Sequence, residues 1–156
     1  MTEINIGELL KDRQMKEGFI PSRDNIVFTI EGKNIGSLQN YVTFAGLPKT
    51  GKSTFLAALV STIFLNGELW QMKLQPPQDR QKIVYFDTES ADVEFYAQAD
   101  KIRKFADVQN ISDKLLMYQV REDQPSTIRK MIEYCLQINT EISIVFIDGL
   151  LDLCIN

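Results

Sequence analysis

Eight consecutive residues, Gly46-Leu47-Pro48-Lys49-Thr50-Gly51-Lys52-Ser53, carry the spacing G-x-x-x-x-G-K-[S/T]. Each fixed position answers a physical demand. The two glycines let backbone wrap closely around phosphate oxygens, with amide N–H groups turned inward at the positive end of the helix that follows. Lys52 sets an ammonium against the β- and γ-phosphates, and the Ser53 hydroxyl ligates Mg²⁺. Thr54 extends the phosphate-binding run into the helix, so the whole stretch from Gly46 to Thr54 is expected to bind ATP with Mg²⁺. Lys49 stands inside the loop and not at its second position, which makes it a solvated loop lysine and not an early signature lysine.

A second element is Ile144-Val145-Phe146-Ile147-Asp148. A carboxylate at the C-terminal end of a buried strand lies where ligands bind in open α/β sheets, and Asp148 is expected to hold Mg²⁺ through a water. Hydrolysis needs a further group to orient the attacking water. Gly149 follows Asp148 directly, and Asp152 falls beyond the strand end, so neither supplies that acid. Glu89 is the candidate, closing Ile83-Val84-Tyr85-Phe86-Asp87-Thr88-Glu89 on a neighbouring strand. Asp87 is a weaker competitor for the same role, or a support for it.

Bulk properties narrow the remaining chemistry. The chain has 156 residues and contains no histidine, which excludes His-based acid–base catalysis, serine triads and most zinc sites. A net charge of −4 argues against a broad basic face for nonspecific nucleic-acid binding. Cys135 and Cys154 stand far apart in apolar company and read as reduced, buried thiols. The first residues carry no signal-peptide pattern, and no apolar run reaches the roughly 18 residues of a membrane helix, so a cytoplasmic location without membrane contact is expected.

The elements that must position these groups can be read from periodicity. Residues 1–20 form an arm or short helix, and residues 21–156 form the main domain. Ile26 to Ile30, a turn at Glu31-Gly32-Lys33-Asn34, and Ile35 to Leu38 predict a small β-hairpin leading into the main sheet. Tyr41-Val42-Thr43-Phe44-Ala45 is expected to be the strand that enters the loop. A helix over residues 52–65 follows, stopped by Asn66-Gly67, and Leu69 to Leu74 is an extended piece. Strand 83–86 leads to a helix over residues 91–106 that turns Phe95, Ala99, Ile102 and Phe105 inward. Strand 115–120 leads to a helix opening at Pro125, with Ile128, Met131, Ile132, Cys135 and Leu136 inward. The alternation of strands and helices predicts an α/β layered fold with a largely parallel sheet.

Taken together, the loop, the acid in Asp87-Thr88-Glu89 and Ile147-Asp148-Gly149 resemble the RecA-like P-loop ATPases. The likeness is closest to the RepA-like AAA-family ATPases of plasmids and mobile elements, and it spans residues 42–152. The resemblance implies a three-layer α/β/α domain in which Lys52, Ser53, Glu89 and Asp148 take the roles given above. It also implies a homo-oligomeric ring, hexameric in related helicases, with ATP between subunits and DNA as partner. In that family a strand after the Asp148 position inserts between the loop strand and the Asp148 strand. The sequence stops at Asn156 before it, so the sheet is expected to be incomplete and the chain to be the N-terminal portion of a longer ATPase.

Two rival readings use the same loop. A small-molecule kinase would take Asp87 or Glu89 as base, with Arg103 and Arg121 as loose candidates for its lid. A nucleotide-dependent binding module would hold ATP without turning it over.

Overall fold

Ile83, Val84, Tyr85 and Phe86 are each no more than 1% exposed, which marks β4 (Lys82–Asp87) as a strand buried on both faces. The computed structural model describes residues 14, 25–47, 49–65 and 67–149. In chain order the remaining elements are β1 (Ile26–Ile30), β2 (Lys33–Ser37), α1 (Lys52–Ser61), β3 (Met72–Leu74), α2 (Asp92–Ala106), β5 (Leu115–Gln119), α3 (Pro125–Ile138) and β6 (Ile142–Asp148). The expected arm at residues 1–20 lies outside the described residues but for Gln14, and Pro48, Asp152 and Cys154 lie outside them too.

Among the described residues the molecule is α/β, with two three-stranded sheets. The parallel sheet has the order β5-β4-β6, and both neighbours of β4 run in its direction. Side-chain alternation divides its contacts between two helical layers. Ile83, Tyr85, Leu115, Met117, Ile144 and Phe146 pack with Leu59 of α1 and with Ala99 and Ile102 of α2. Val84, Phe86, Leu116 and Ile147 pack with Ile128, Ile132 and Cys135 of α3. A register shift between Lys82 and Ile83 explains why Ile142 joins the α3 side while Ile144 joins the other.

Three sequence expectations are corrected. The hairpin forms, but it does not lead into the parallel sheet. It takes β3 as a third strand in an antiparallel sheet ordered β2-β1-β3. Residues 41–45 are not a strand. No described strand pairs with them, and without ladder partners an extended segment gains nothing from its β-prone composition. Side chains hold the segment instead: the Phe44 ring meets Phe28 of β1 at 6.0 Å and Phe55 of α1 at 5.0 Å, and Val42 closes over Gly36. Met131 and Leu136 of α3, expected inward, are 39% and 38% exposed. The apolar stripe of α3 is wider than the three-stranded sheet it covers.

Helix α1 stops at Ser61, short of residue 65. From Leu56 to Ser61 every residue is buried, because the helix is packed against strands of both sheets and against α2. At its end, Ser61 and Thr62 hydroxyls donate to Ala58 O and Leu59 O at 2.7 Å each, and the backbone tightens into i to i−3 bonds. The same Thr62 Oγ1 accepts the Leu74 amide at 2.9 Å, fastening β3 to the helix. Thr62 is buried, so removing this acceptor strands a backbone donor. Thr62→Val is therefore expected to lower unfolding free energy by about 1–3 kcal/mol in denaturant titrations, whereas Thr62→Ser, which keeps the acceptor, recovers most of the loss.

Candidate functional site

The loop that opens α1 shows why its residues are of these types. Gly51 has φ 89°, and Lys49 two residues earlier also has positive φ at 64°. Such alternation bends successive amides toward one side, the arrangement that makes an anion-binding concavity. At Gly46 the limit is space, since an added Cβ would lie 3.1 Å from Thr50 Oγ1 and 3.6 Å from Lys52 Cδ. The Thr50 hydroxyl donates to Leu47 O at 2.7 Å and closes the turn from within. Lys52 folds over the same loop, its ammonium donating to Gly46 O at 2.7 Å and Leu47 O at 3.1 Å. Helix α1 has no side-chain cap at Gly51 and no acidic residue in its first turn. Its first amides are thus left for an outside acceptor. Ser53 is exposed at this mouth, and Thr54 is half-buried beside it.

The two acids at the strand tips meet through the register of the parallel sheet. Asp87 and Asp148 are partners in the β4–β6 pairing and continue the face of Tyr85 and Phe146, which is the α1 and α2 side. The Asp148 carboxylate accepts the Tyr85 hydroxyl at 2.8 Å. Burial, and next Asp148 itself, push the Tyr85 hydroxyl well above its usual range, so it remains a donor. Behind Asp148, Gly149 adopts φ 93°, and the Thr88 hydroxyl bonds to Asp148 O at 3.0 Å and Gly149 O at 2.9 Å. The tip is held by side chain and backbone together.

Asp87 is 1% exposed and turns the chain after β4: its Oδ1 accepts the Glu89 amide at 3.1 Å and the Ser90 amide at 2.8 Å. Its Oδ2 is buried without a hydrogen-bond partner. Glu89, the expected catalytic acid, follows the strand end by two residues and is exposed at the same edge of the sheet as Asp148. Gln98 on α2 joins the parts. Its Nε2 donates to Ser53 O at 2.7 Å, and its side chain lies near the Tyr85 hydroxyl. Gln98 thus fastens the first turn of α1 to α2, while Tyr85 fastens β4 to Asp148. Sequence reasoning passed over Tyr85 and Gln98. The signal available for Gln98 was a polar residue four positions before buried Ile102, on the inward side of α2.

Other features fall elsewhere. Arg103 is paired with Asp100 at 2.6 Å near the end of α2. A helix following a parallel strand runs back along it, so this arginine sits at the sheet edge opposite the loop. A cleft of about 260 Å³, lined by Thr62, Leu74, Gln81 and Lys114 among others, also lies at that N-terminal edge of β4 and β5. Ligands of parallel sheets bind at the C-terminal edge, where the loop and both acids are. Among the described residues no three His, Cys, Asp or Glu side chains gather as a metal cage. Mg²⁺ asks for less, since one or two carboxylates with water and substrate phosphates suffice. Among the same residues Cys135 is buried and free, and no helix is long and apolar enough to cross a membrane.

No family model matches the sequence, and neither curated proteins nor solved structures contain a match to it.

The loop geometry carries its own test. Gly51→Ala forces a Cβ into left-handed backbone and is expected to cost about 1–2 kcal/mol in nucleotide-free unfolding experiments. Gly67→Ala, whose Cβ meets open space without that constraint, should change stability by less than about 0.5 kcal/mol.

Proposed function

We propose that the chain is a P-loop ATPase of the RecA-like class, binding MgATP at the mouth of α1 and hydrolysing its γ-phosphate. The observation that carries this reading is the convergence, at one sheet edge, of three parts. These are a glycine-shaped loop, the Lys52 ammonium over it, and Asp148 held at the strand tip by Tyr85. Helices on both faces of the parallel sheet agree with the three-layer α/β/α arrangement of that class.

In this reading the amides of residues 46–54 take the phosphate oxygens, and Lys52 leaves the Gly46 and Leu47 carbonyls for the β- and γ-phosphates. Ser53 and Asp148 would hold Mg²⁺, which would supply neutralising charge to the phosphates. Glu89, at the tip beside them, orients the attacking water and draws off its proton. Coupling to DNA replication, mobilisation or helicase-type work, through a homo-oligomeric ring, follows from the RepA-like resemblance. For the kinase alternative, Arg103 is paired with Asp100 at the far edge of the sheet, whereas Arg121 follows β5 at the edge of the loop.

Equilibrium binding and phosphate release separate the two steps. Lys52→Ala should abolish measurable ATP binding, because the phosphates lose their cation. Glu89→Gln should keep ATP affinity while lowering turnover by about two to four powers of ten. Equal loss of binding in both variants removes Glu89 from the water-orienting role, and tight binding by wild type without any phosphate release points to a non-hydrolysing module.

A further inference from the structure

Asp87 and Gln98 are more than nine-tenths buried, and each holds an oxygen that nothing among the described residues satisfies: Asp87 Oδ2 and Gln98 Oε1. Leaving one such buried polar atom unpaired is costly, and a charged one more so. Two of them call for a common explanation. Both belong to side chains near the Tyr85 hydroxyl, which Asp148 also meets. Asp87 shares its sheet face with Asp148, its partner in register, and with Tyr85 two residues earlier. Gln98 Oε1 is bonded to the same carbon as Nε2, which contacts Ser53 O.

The electrostatics point the same way. The ion pairs among described residues are Lys33–Glu31, Arg80–Asp79, Lys82–Glu141 and Arg103–Asp100, and none reaches Asp87 or Asp148. Lys52, the cation of the loop, is engaged with carbonyl oxygens. Buried Asp87 and half-buried Asp148 thus have no positive partner among the described residues. The donors present are hard oxygens: two carboxylates, a hydroxyl at Ser53 and an amide carbonyl, which suits a hydrated divalent cation such as Mg²⁺ or Mn²⁺.

We propose that Asp87 is a second carboxylate of the divalent-cation site, acting with Asp148, and that the Gln98 carbonyl accepts a hydrogen bond from a water on that cation. The inference deepens the P-loop reading and rests on it for the role of Ser53 and Asp148. It moves Asp87 from the turn of the β4–α2 connection to the chemistry of the site. Its Oδ1 holds the turn through two amides, and its Oδ2 serves the cation. Tyr85 keeps the Asp148 carboxylate turned toward the same place. Outer partners of this kind typically change metal affinity by about 10–100-fold when removed.

The test is direct Mn²⁺ titration of the whole chain, followed by electron paramagnetic resonance, with and without ADP. Asp87→Asn preserves shape and the Oδ1 acceptor while removing the charge. It should weaken Mn²⁺ about ten-fold or more, leave nucleotide affinity in EDTA within about three-fold, and abolish the rise in melting temperature that Mn²⁺ gives wild type. A purely structural Asp87 would instead lower the melting temperature and keep the Mn²⁺-induced rise; that result overturns the proposal, as does unchanged Mn²⁺ affinity. If Asp87→Asn does not fold, Gln98→Met decides: weaker Mn²⁺ binding supports the site, and unchanged binding rejects it. Absence of Lys52-dependent nucleotide binding in wild type is a separate outcome, and it removes the P-loop reading.

Discussion

The parallel pairing of β4 with β6 is the interaction on which the rest depends. It runs from Lys82 and Ile142 to Asp87 and Asp148 and leaves both acids at the C-terminal edge, on one face. Strand β4 is buried on both sides, so slipping the ladder by one residue would turn Tyr85 and Asp87 into the α3 layer and Val84 and Phe86 toward α1. That exchange would put a carboxylate into an apolar layer. The apolar pattern of β4 thus fixes where the polar chemistry can stand.

Against that edge, α1 and α2 are laid on a single face of the sheet, and Gln98 of α2 ties down the first turn of α1. The result is a division of charge. The loop contributes a helix N-terminus without an acidic residue in its first turn, and Lys52; the strand tips contribute Asp87, Asp148 and Glu89. Anion-seeking and cation-seeking groups face one region, the requirement for holding a phosphate tail and its metal together. Lys52 rests on carbonyl oxygens of the loop, and Asp87 keeps an oxygen that no described residue satisfies.

Much of this was legible in the residues. The loop could be recognised because glycine takes the left-handed backbone at Gly51 without strain and leaves room beside Thr50 at Gly46. Strands β4 and β6, the hairpin, and α2 and α3 followed from apolar runs and turn chemistry. Legibility failed where through-space partners decide. Residues 41–45 have strand composition but pack through Phe44 against β1 and α1 in place of a ladder. Tyr85 looked like core, and its hydroxyl became informative only once Asp148, 63 residues away in sequence, lay beside it. Met131 and Leu136 share a periodic stripe with Ile128 and Cys135, yet a sheet of three strands is too narrow to cover them all.

Amide-resolved NMR with MgATP addresses the central claim most directly, because the claim names which backbone groups meet phosphate. Adding ATP should move the signals of Gly46, Gly51, Lys52, Ser53 and Thr54 most, and adding Mg²⁺ should then move those of Glu89, Ser90 and Gly149. If ATP leaves the loop amides where they are, or perturbs instead the Thr62–Lys114 cleft at the opposite edge, the phosphate cradle is contradicted.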